Sequence, residues 1–225
     1  MASRSGAGMI EELRKTVKGE EFDYQALLSA LRDYRYPRNR INKLLRRGDV
    51  IRVKKGIYVF GERYARGPVS REILANMIYG PSCVSLDYAL HYHGLIPERA
   101  EAVTSVTTGR SRRFLTPFGL FAYRRIPVRA YPVGIQRVEL EAGRGFLLAS
   151  PEKALADKLR EDHGNAIRTP GIMRSYLFEN LRIDPEAFAR LDPELMLLLA
   201  IRYRSSKLRI VHQVLFKERA GRASP

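Results

Sequence analysis

Apolar residues recur at helical spacing in three successive segments at the start of the chain. The apolar positions are Ile10, Leu13 and Val17 in the first segment, Leu27, Leu28 and Leu31 in the second, and Ile41, Leu44 and Leu45 in the third. Asp23 is a suitable N-cap for the second helix, and Pro37 suits the first turn of the third. Gly48 suits the position just past the end of that third helix. We therefore predict three short helices before residue 50.

The hydrophobic period changes after Gly48. The segments "VIRV" and "IYVF" are rich in β-branched and aromatic residues and are joined by "KKG", in which Gly56 fits a left-handed turn position. Three helices followed by such a hairpin predict a winged helix-turn-helix. We place this DNA-binding domain in residues 1–67, with "GERYARGP" (residues 61–68) as a linker.

The pattern of the remaining chain, residues 68–225, is mixed. Ser70 to Tyr79 and Val84 to His93 are predicted to be helices, whereas residues 101–149, with many Val, Thr, Phe and Tyr, are predicted to form several strands. Three helix starts combine an N-capping side chain with proline: Ser150-Pro151, Asp184-Pro185 and Asp192-Pro193. The predicted fold class is therefore α+β, with a winged helix-turn-helix domain followed by a mixed α/β domain that has a helical C-terminal end.

Charge narrows the range of functions. The chain has 225 residues, a formal net charge of +16 and a pI near 10.3, which favours nucleic acid or an anionic surface as a partner. Residues 1–67 hold 16 basic and 8 acidic side chains, and residues 32–56 alone hold 10 and 2. The excess is thus concentrated on the third predicted helix and the hairpin. A generally basic surface without a specific partner is the alternative.

Cysteine content and hydropathy point to a cytoplasmic protein. Cys83 is the only cysteine, which excludes a disulfide within the chain and a zinc site built from thiolates alone. The longest apolar run, "LMLLLAI", is far too short to cross a bilayer. We expect no membrane partner, no metal and no cofactor.

The third helix has a strongly polar outward face. At 100° per residue its apolar positions share one arc, so the polar residues opposite must face outward. Arg, Lys and Asn are side chains that suit base edges in a major groove. The predicted DNA-binding residues are Arg38, Asn39, Asn42 and Lys43 for bases, Arg46 and Arg47 for phosphates, Arg40 on the flank, and Arg52, Lys54 and Lys55 on the hairpin.

A second basic cluster comes from "TTGRSRRF" and "YRRIP", which a hairpin could bring together. Its members are Arg110, Arg112, Arg113, Arg124 and Arg125. Such a face could contact DNA, RNA or an acidic partner. A solvated sheet edge, on which Arg discourages aggregation, is an equally good interpretation.

Other chemically suggestive residues give weaker signals. His91 and His93 point apart on a helix and lack evident partners for a metal site, which favours core or surface roles. Ser85, Asp87 and His91 are the residue types of a hydrolytic triad, but no strand-turn-helix elbow surrounds the serine. Neither group predicts catalysis.

"SPEKALADKL" offers a rival function. Glu152, Lys153 and Asp157 could serve a metal-dependent nuclease, because such enzymes use carboxylates and a lysine around a metal ion. The alternative is that these are first-turn charges and the exposed face of a capped amphipathic helix. We favour the second interpretation.

Four stretches together resemble one protein family: "RRGDVIRVKKGIYVF", "GPSCVSLDYALHYHGLIPE", "VTSVTTGRSRRF" and "FLLASPEKALADKL". They are similar to the AbiEi antitoxins of type IV toxin–antitoxin systems, over about residues 22–159. The last three stretches are the specific ones, since the winged helix alone would match many regulators.

The resemblance implies an N-terminal winged helix that represses the protein's own operon, with inverted repeats as its double-stranded DNA operator. It also implies a C-terminal domain that counters a nucleotidyltransferase-like toxin without a tight complex. It supplies no catalytic residues. Two alternatives stay open: a stand-alone transcription factor whose second domain senses a ligand or oligomerises, and the metal-dependent nuclease.

Overall fold

The computed structural model describes residues 6–162 and 167–223. The fold is α+β and its C-terminal end is helical, as predicted. The helices and strands, in chain order, are α1 (Gly6–Thr16), β1 (Glu21–Asp23), α2 (Tyr24–Ala30), α3 (Pro37–Arg46), β2 (Val50–Lys54), β3 (Ile57–Phe60), α4 (Arg71–Ile78), β4 (Ser82–Val84), α5 (Leu86–Tyr92), β5 (Val103–Thr107), β6 (Arg112–Thr116), β7 (Gly119–Arg125), β8 (Ile135–Glu139), β9 (Gly145–Ala149), α6 (Pro151–Glu161), α7 (Pro170–Ser175), a π-helical turn (Tyr176–Asn180), α8 (Pro185–Ala189), α9 (Pro193–Tyr203) and α10 (Ser206–Ala223).

The N-terminal segment, residues 6–67, combines three α-helices and a short 3-10 helical turn (Glu62–Tyr64) with a three-stranded antiparallel sheet in the order β1-β3-β2. The predicted helix starts are confirmed: Asp23 accepts a hydrogen bond from the Ala26 amide at 2.9 Å, and Pro37 opens α3. Gly48 and Gly56 both have positive φ, +70° and +90°, which glycine tolerates. The sequence pattern missed β1, because three residues are too few to show a period.

The C-terminal segment, residues 68–162 and 167–223, is built around a six-stranded mixed sheet in the order β6-β7-β5-β4-β9-β8. The strands predicted within residues 101–149 are confirmed. The predicted helix from Val84 was wrong in its first residues, since Ser82–Val84 is a strand and α5 begins at Leu86. An apolar run this short does not distinguish a buried strand from the start of a helix.

The C-terminal helices begin at the predicted cap positions. The Ser150 hydroxyl accepts from the Lys153 amide at 3.3 Å, and the Asp184 carboxylate from the Ala187 amide at 2.6 Å. Asp192 accepts from the Glu194 amide at 2.9 Å. In each case proline follows the cap and occupies the first helical position, where its missing N–H has no intrahelical acceptor.

Strand β3 of the hairpin β2–β3 joins two apolar cores because both of its faces are buried. Tyr58 and Phe60 pack with the N-terminal helices, whereas Ile57 and Val59 pack with the C-terminal segment. This alternation follows from the two-residue period of a strand. The N-terminal segment therefore rests on the C-terminal segment through the hairpin.

The connection predicted to be a linker is held by hydrogen bonds to β1 and the residue before it. The Glu20 carboxylate accepts from the Arg66 amide at 3.0 Å and pairs with Arg14 at 2.6 Å. The Glu21 carboxylate accepts from the Ser70 amide and pairs with Arg144 at 3.3 Å. The division into domains at residue 67 remains a prediction, and the contacts across it are extensive.

Candidate nucleic-acid interface

Helix α3 has one buried and one exposed face. Ile41 and Leu44 are buried in the core of the N-terminal segment. Asn39, Asn42, Lys43 and Arg46, which the helical period predicted to face outward, are exposed, and so is Arg38, which was predicted to flank them. Their exposure is confirmed; their role in binding DNA stays a prediction.

Two predicted members of this face have partners within the chain. The guanidinium of Arg40 lies 5.4 Å from the centre of the Tyr34 ring, and Arg40 is partly buried. Arg47 is exposed but pairs with the buried Asp49 carboxylate at 3.1 Å. Binding of a phosphate by either arginine would require it to share or give up this contact.

The hairpin separates its three predicted cations. Arg52 and Lys55 are exposed, whereas Lys54 is partly buried. The register of β2 against β3 shifts between Arg52 and Lys54, so Lys54 pairs with Ile57. The loop thus has two residues, not the predicted three. The irregularity turns Lys54 towards the C-terminal segment, since Ile57 packs there.

Lys54 is bound within the chain. Its ammonium donates a hydrogen bond to the Ile78 carbonyl at 2.7 Å and lies 4.2 Å from the centre of the Phe114 ring. Burial lowers the pKa of Lys54, and the nearby charge of Arg112 lowers it further. We therefore assign Lys54 a role in joining the two segments and leave Arg52 and Lys55 as the free cations of the hairpin.

The exposed cations of α3 and the hairpin lack acidic partners. No ion pair joins Arg38, Lys43, Arg46, Arg52 or Lys55 to a carboxylate anywhere in residues 6–162 and 167–223. Self-repulsion among them is therefore relieved only by water and counterions. A polyanion would neutralise them and release those ions.

Residues before α3, which were not among the predicted DNA-binding residues, extend this surface. Arg35 and Tyr36 are exposed, and Tyr36 keeps 59% of its surface accessible. With Tyr24, Arg38 and Asn39 they line a surface cavity of about 470 Å³ at the start of α3. Arginine and tyrosine side chains commonly bond DNA phosphates. Their position directly before the proline at the start of α3 was the signal that could have identified them.

The second basic cluster lies on the hairpin β6–β7, at the edge of the six-stranded sheet. Strand alternation divides it between two faces. Arg112 is paired with Tyr123, so Arg112 and Arg125 share one face, whereas Arg113 and Arg124 share the other. Arg124 pairs with Glu161 at 3.3 Å, and the others form no ion pair among the described residues. Arg110 precedes β6 and is exposed.

The predicted exposed face of α6 was wrong. Lys153 and Asp157 have no accessible surface and Glu152 retains 7%. Helix α6 is covered by α5 and α9 as well as by the sheet, so the residues opposite its apolar stripe are also enclosed. A nuclease built on these side chains would need them to reach a nucleic acid, which this packing prevents.

The buried residues of α6 form a connected polar network. Asp157 accepts from the Ser85 hydroxyl at 2.6 Å and from the Tyr203 hydroxyl, and lies 3.5 Å from the Lys153 ammonium. Lys153 also donates to the Ala130 carbonyl at 3.2 Å. Burial raises the pKa of Asp157, while its three partners act in the opposite direction. The network joins α5, α6 and α9.

The residues whose types suggested a hydrolytic triad or a metal site do not lie together in one site. Ser85 is used by Asp157, whereas Asp87 pairs with Lys158 at 2.9 Å and His91 is exposed. His93 lies with Nε2 2.7 Å from the Ala149 carbonyl. Among residues 6–162 and 167–223, no three His, Cys, Asp or Glu side chains are grouped as a metal ion requires.

Comparison of the sequence with protein-family models and with curated proteins gives no match. Within the described residues, no helix has both the length and the apolar character needed to cross a bilayer.

Proposed function

We propose that the protein binds double-stranded DNA, with α3 as the recognition helix and the hairpin β2–β3 as the wing of a winged helix-turn-helix. The observation that carries the proposal is the exposed face of α3, where Arg38, Lys43 and Arg46 lie beside two asparagines and form no ion pair with a carboxylate of residues 6–162 and 167–223. Asparagine can bond adenine in a bidentate manner and lysine can bond guanine. The N-terminal part of a recognition helix is the part that reaches base edges, which favours Arg38, Asn39, Asn42 and Lys43.

The charges of the wing then bind the DNA backbone. Arg52 and Lys55 are exposed on the hairpin beside α3. Phosphate contacts position a protein on the duplex without selecting the sequence. Arg46 and Arg47, at the C-terminal end of α3, complete the same surface.

We further propose that the protein represses its own operon and acts in the cytoplasm as the antitoxin of a type IV toxin–antitoxin system. This part rests on the resemblance of residues 22–159 to the AbiEi antitoxins. The functional partner would be a nucleotidyltransferase-like toxin, countered without a tight complex. A stand-alone transcription factor, the alternative, would have no neighbouring toxin gene. The identity of the adjacent gene therefore discriminates between the two hypotheses.

The full chain provides the test. It should retard a duplex from upstream of its own gene at concentrations that leave a shuffled duplex of equal length free. The variant Asn39→Ala with Lys43→Ala should lose this preference. If antitoxicity is separate from repression, the same double variant should still rescue cells expressing the neighbouring toxin. Equal binding of the two duplexes by the wild type would contradict the proposed role as a sequence-specific regulator. Failure of the wild type to rescue cells would contradict the proposed role as an antitoxin.

Point variants are preferable to deletion of residues 1–67. Deletion would expose residues of the C-terminal segment that pack against Val53, Ile57 and Val59. Loss of rescue by a truncated chain would then report a damaged core and not a missing DNA contact.

A further inference from the structure

The two basic clusters, far apart in sequence, meet at the hairpin. The Lys54 ammonium contacts the ring of Phe114, at 4.2 Å from its centre. Phe114 lies two residues beyond Arg112 in β6, so both side chains project from the same face of the strand. Arg112 is therefore on the side of the sheet edge that faces the wing.

Arg112 is a cation without a counter-charge at this junction. It is exposed and forms no ion pair with any carboxylate in the part of the chain that the structure describes. Its charge is close enough to Lys54 to add to the effect of burial in lowering the pKa of that lysine. The two like charges repel in the free protein, which is unfavourable unless an anion is bound beside them.

Arg113 provides a natural comparison on the same strand. It is also exposed and also without an ion pair among the described residues. Because it is paired with Ala122 and not with Tyr123, it projects from the opposite face, on the side of Arg124 and Glu161. Arg112 and Arg113 thus match in charge and exposure and differ in which way they face.

We propose that the DNA-binding surface continues from the wing onto β6, where Arg112 binds a phosphate of the same duplex whose bases α3 contacts. The inference rests on the proposed DNA-binding function. It gives the C-terminal segment a direct part in operator binding, so the residues of α3 and the hairpin do not account for the whole interface.

The test compares Arg112→Gln with Arg113→Gln in the full chain, on the upstream duplex and over a range of salt concentrations. Losing one phosphate contact reduces the magnitude of the slope of log K against log salt by about 0.9 and weakens binding roughly five- to tenfold near about 0.1 M salt. We expect this change for Arg112→Gln only. Arg112→Lys should keep the wild-type slope, because lysine also neutralises a phosphate.

Stability measurements separate a DNA contact from a structural role. Arg112→Gln removes a repulsion with Lys54, so its urea midpoint should equal or exceed that of the wild type while its DNA affinity falls. Equal slopes for Arg112→Gln and the wild type, or equal losses in the Arg112 and Arg113 variants, would overturn this inference alone. A wild-type protein that does not bind duplex DNA would overturn the proposed function as well.

Discussion

Helices α3 and α6 both begin with proline and both combine charged with apolar residues, yet they use their charges in opposite ways. The polar face of α3 is exposed, and its Arg38, Lys43 and Arg46 have no acidic partners among the described residues. In α6, Lys153 and Asp157 are fully buried and bonded to each other and to neighbours. A buried charge must be paired because desolvation is costly, whereas a hydrated one can remain available for a ligand. The exposed cations of α3 are therefore available to an anionic ligand, whereas the paired charges of α6 are not.

The largest effect is expected from breaking the buried network of α6. Asp157→Ala leaves the Lys153 ammonium buried without its counter-charge and should reduce the free energy of unfolding by about 3–5 kcal/mol. Urea denaturation would measure the loss. The double variant Lys153→Met with Asp157→Leu removes both charges and should recover much of it. A loss below about 0.5 kcal/mol for Asp157→Ala, as at an ordinary surface position, would contradict the assignment.

The matched change on α3 should act on binding and not on folding. Asn39→Ala or Lys43→Ala should each cost about 1–3 kcal/mol on the operator, with little change on random DNA. Unfolding should shift by less than about 0.5 kcal/mol, because both side chains are exposed. Band-shift titrations on the two duplexes would measure the affinities, with urea midpoints as the control for stability. An equal loss of affinity for both duplexes would show that the side chain has only a structural role.

The exposed cations of the hairpin should give a non-selective effect of similar size, since two lost phosphate contacts weaken binding roughly 25- to 100-fold near about 0.1 M salt. Arg52→Ala with Lys55→Ala should weaken operator and random DNA about equally and reduce the magnitude of the salt slope by about 2. Fluorescence anisotropy with both duplexes at several salt concentrations would measure the change. If this double variant instead lost only the preference for the operator, the wing and not α3 would be reading the sequence.

The smallest effect is expected at Lys54, where the hairpin meets the C-terminal segment. Lys54→Ala removes the hydrogen bond to the Ile78 carbonyl and the contact with Phe114, and should cost about 1 kcal/mol of stability. Lys55→Ala, next to it but exposed, is the matched control and should leave stability unchanged. Equal thermal midpoints for both variants would show that Lys54 does not help to join the segments.

The contrast between α3 and α6 also explains what the sequence could predict. The apolar stripe and caps of α3 determine its outward face, because only one side of this helix is covered. The pattern of α6 also predicted an exposed polar face, and this prediction was wrong because α5 and α9 cover that side of the helix. Which elements pack on a helix depends on contacts distant in sequence, and the partners of Asp157 at Ser85 and Tyr203 could not be found from local pattern.

Only part of the hairpin's geometry could be predicted from the sequence, because its register and packing depend on contacts that the local pattern does not show. Its alternation and Gly56 indicated two strands and a turn, but the register shift between Arg52 and Lys54 left no signal in the sequence. That shift turns Lys54 away from the solvent-exposed cations. The proximity of the hairpin to Arg112 likewise depends on how the two segments pack.

Salt dependence of DNA binding by the unmodified chain tests the central claim most directly. If α3, the wing and their neighbours neutralise about six phosphates, log K should fall with log salt at a slope near −5, a loss of about a thousandfold between about 50 and about 200 mM salt. An affinity for the upstream duplex that stays nearly constant over this range would contradict an interface built from the unpaired cations of α3 and the hairpin.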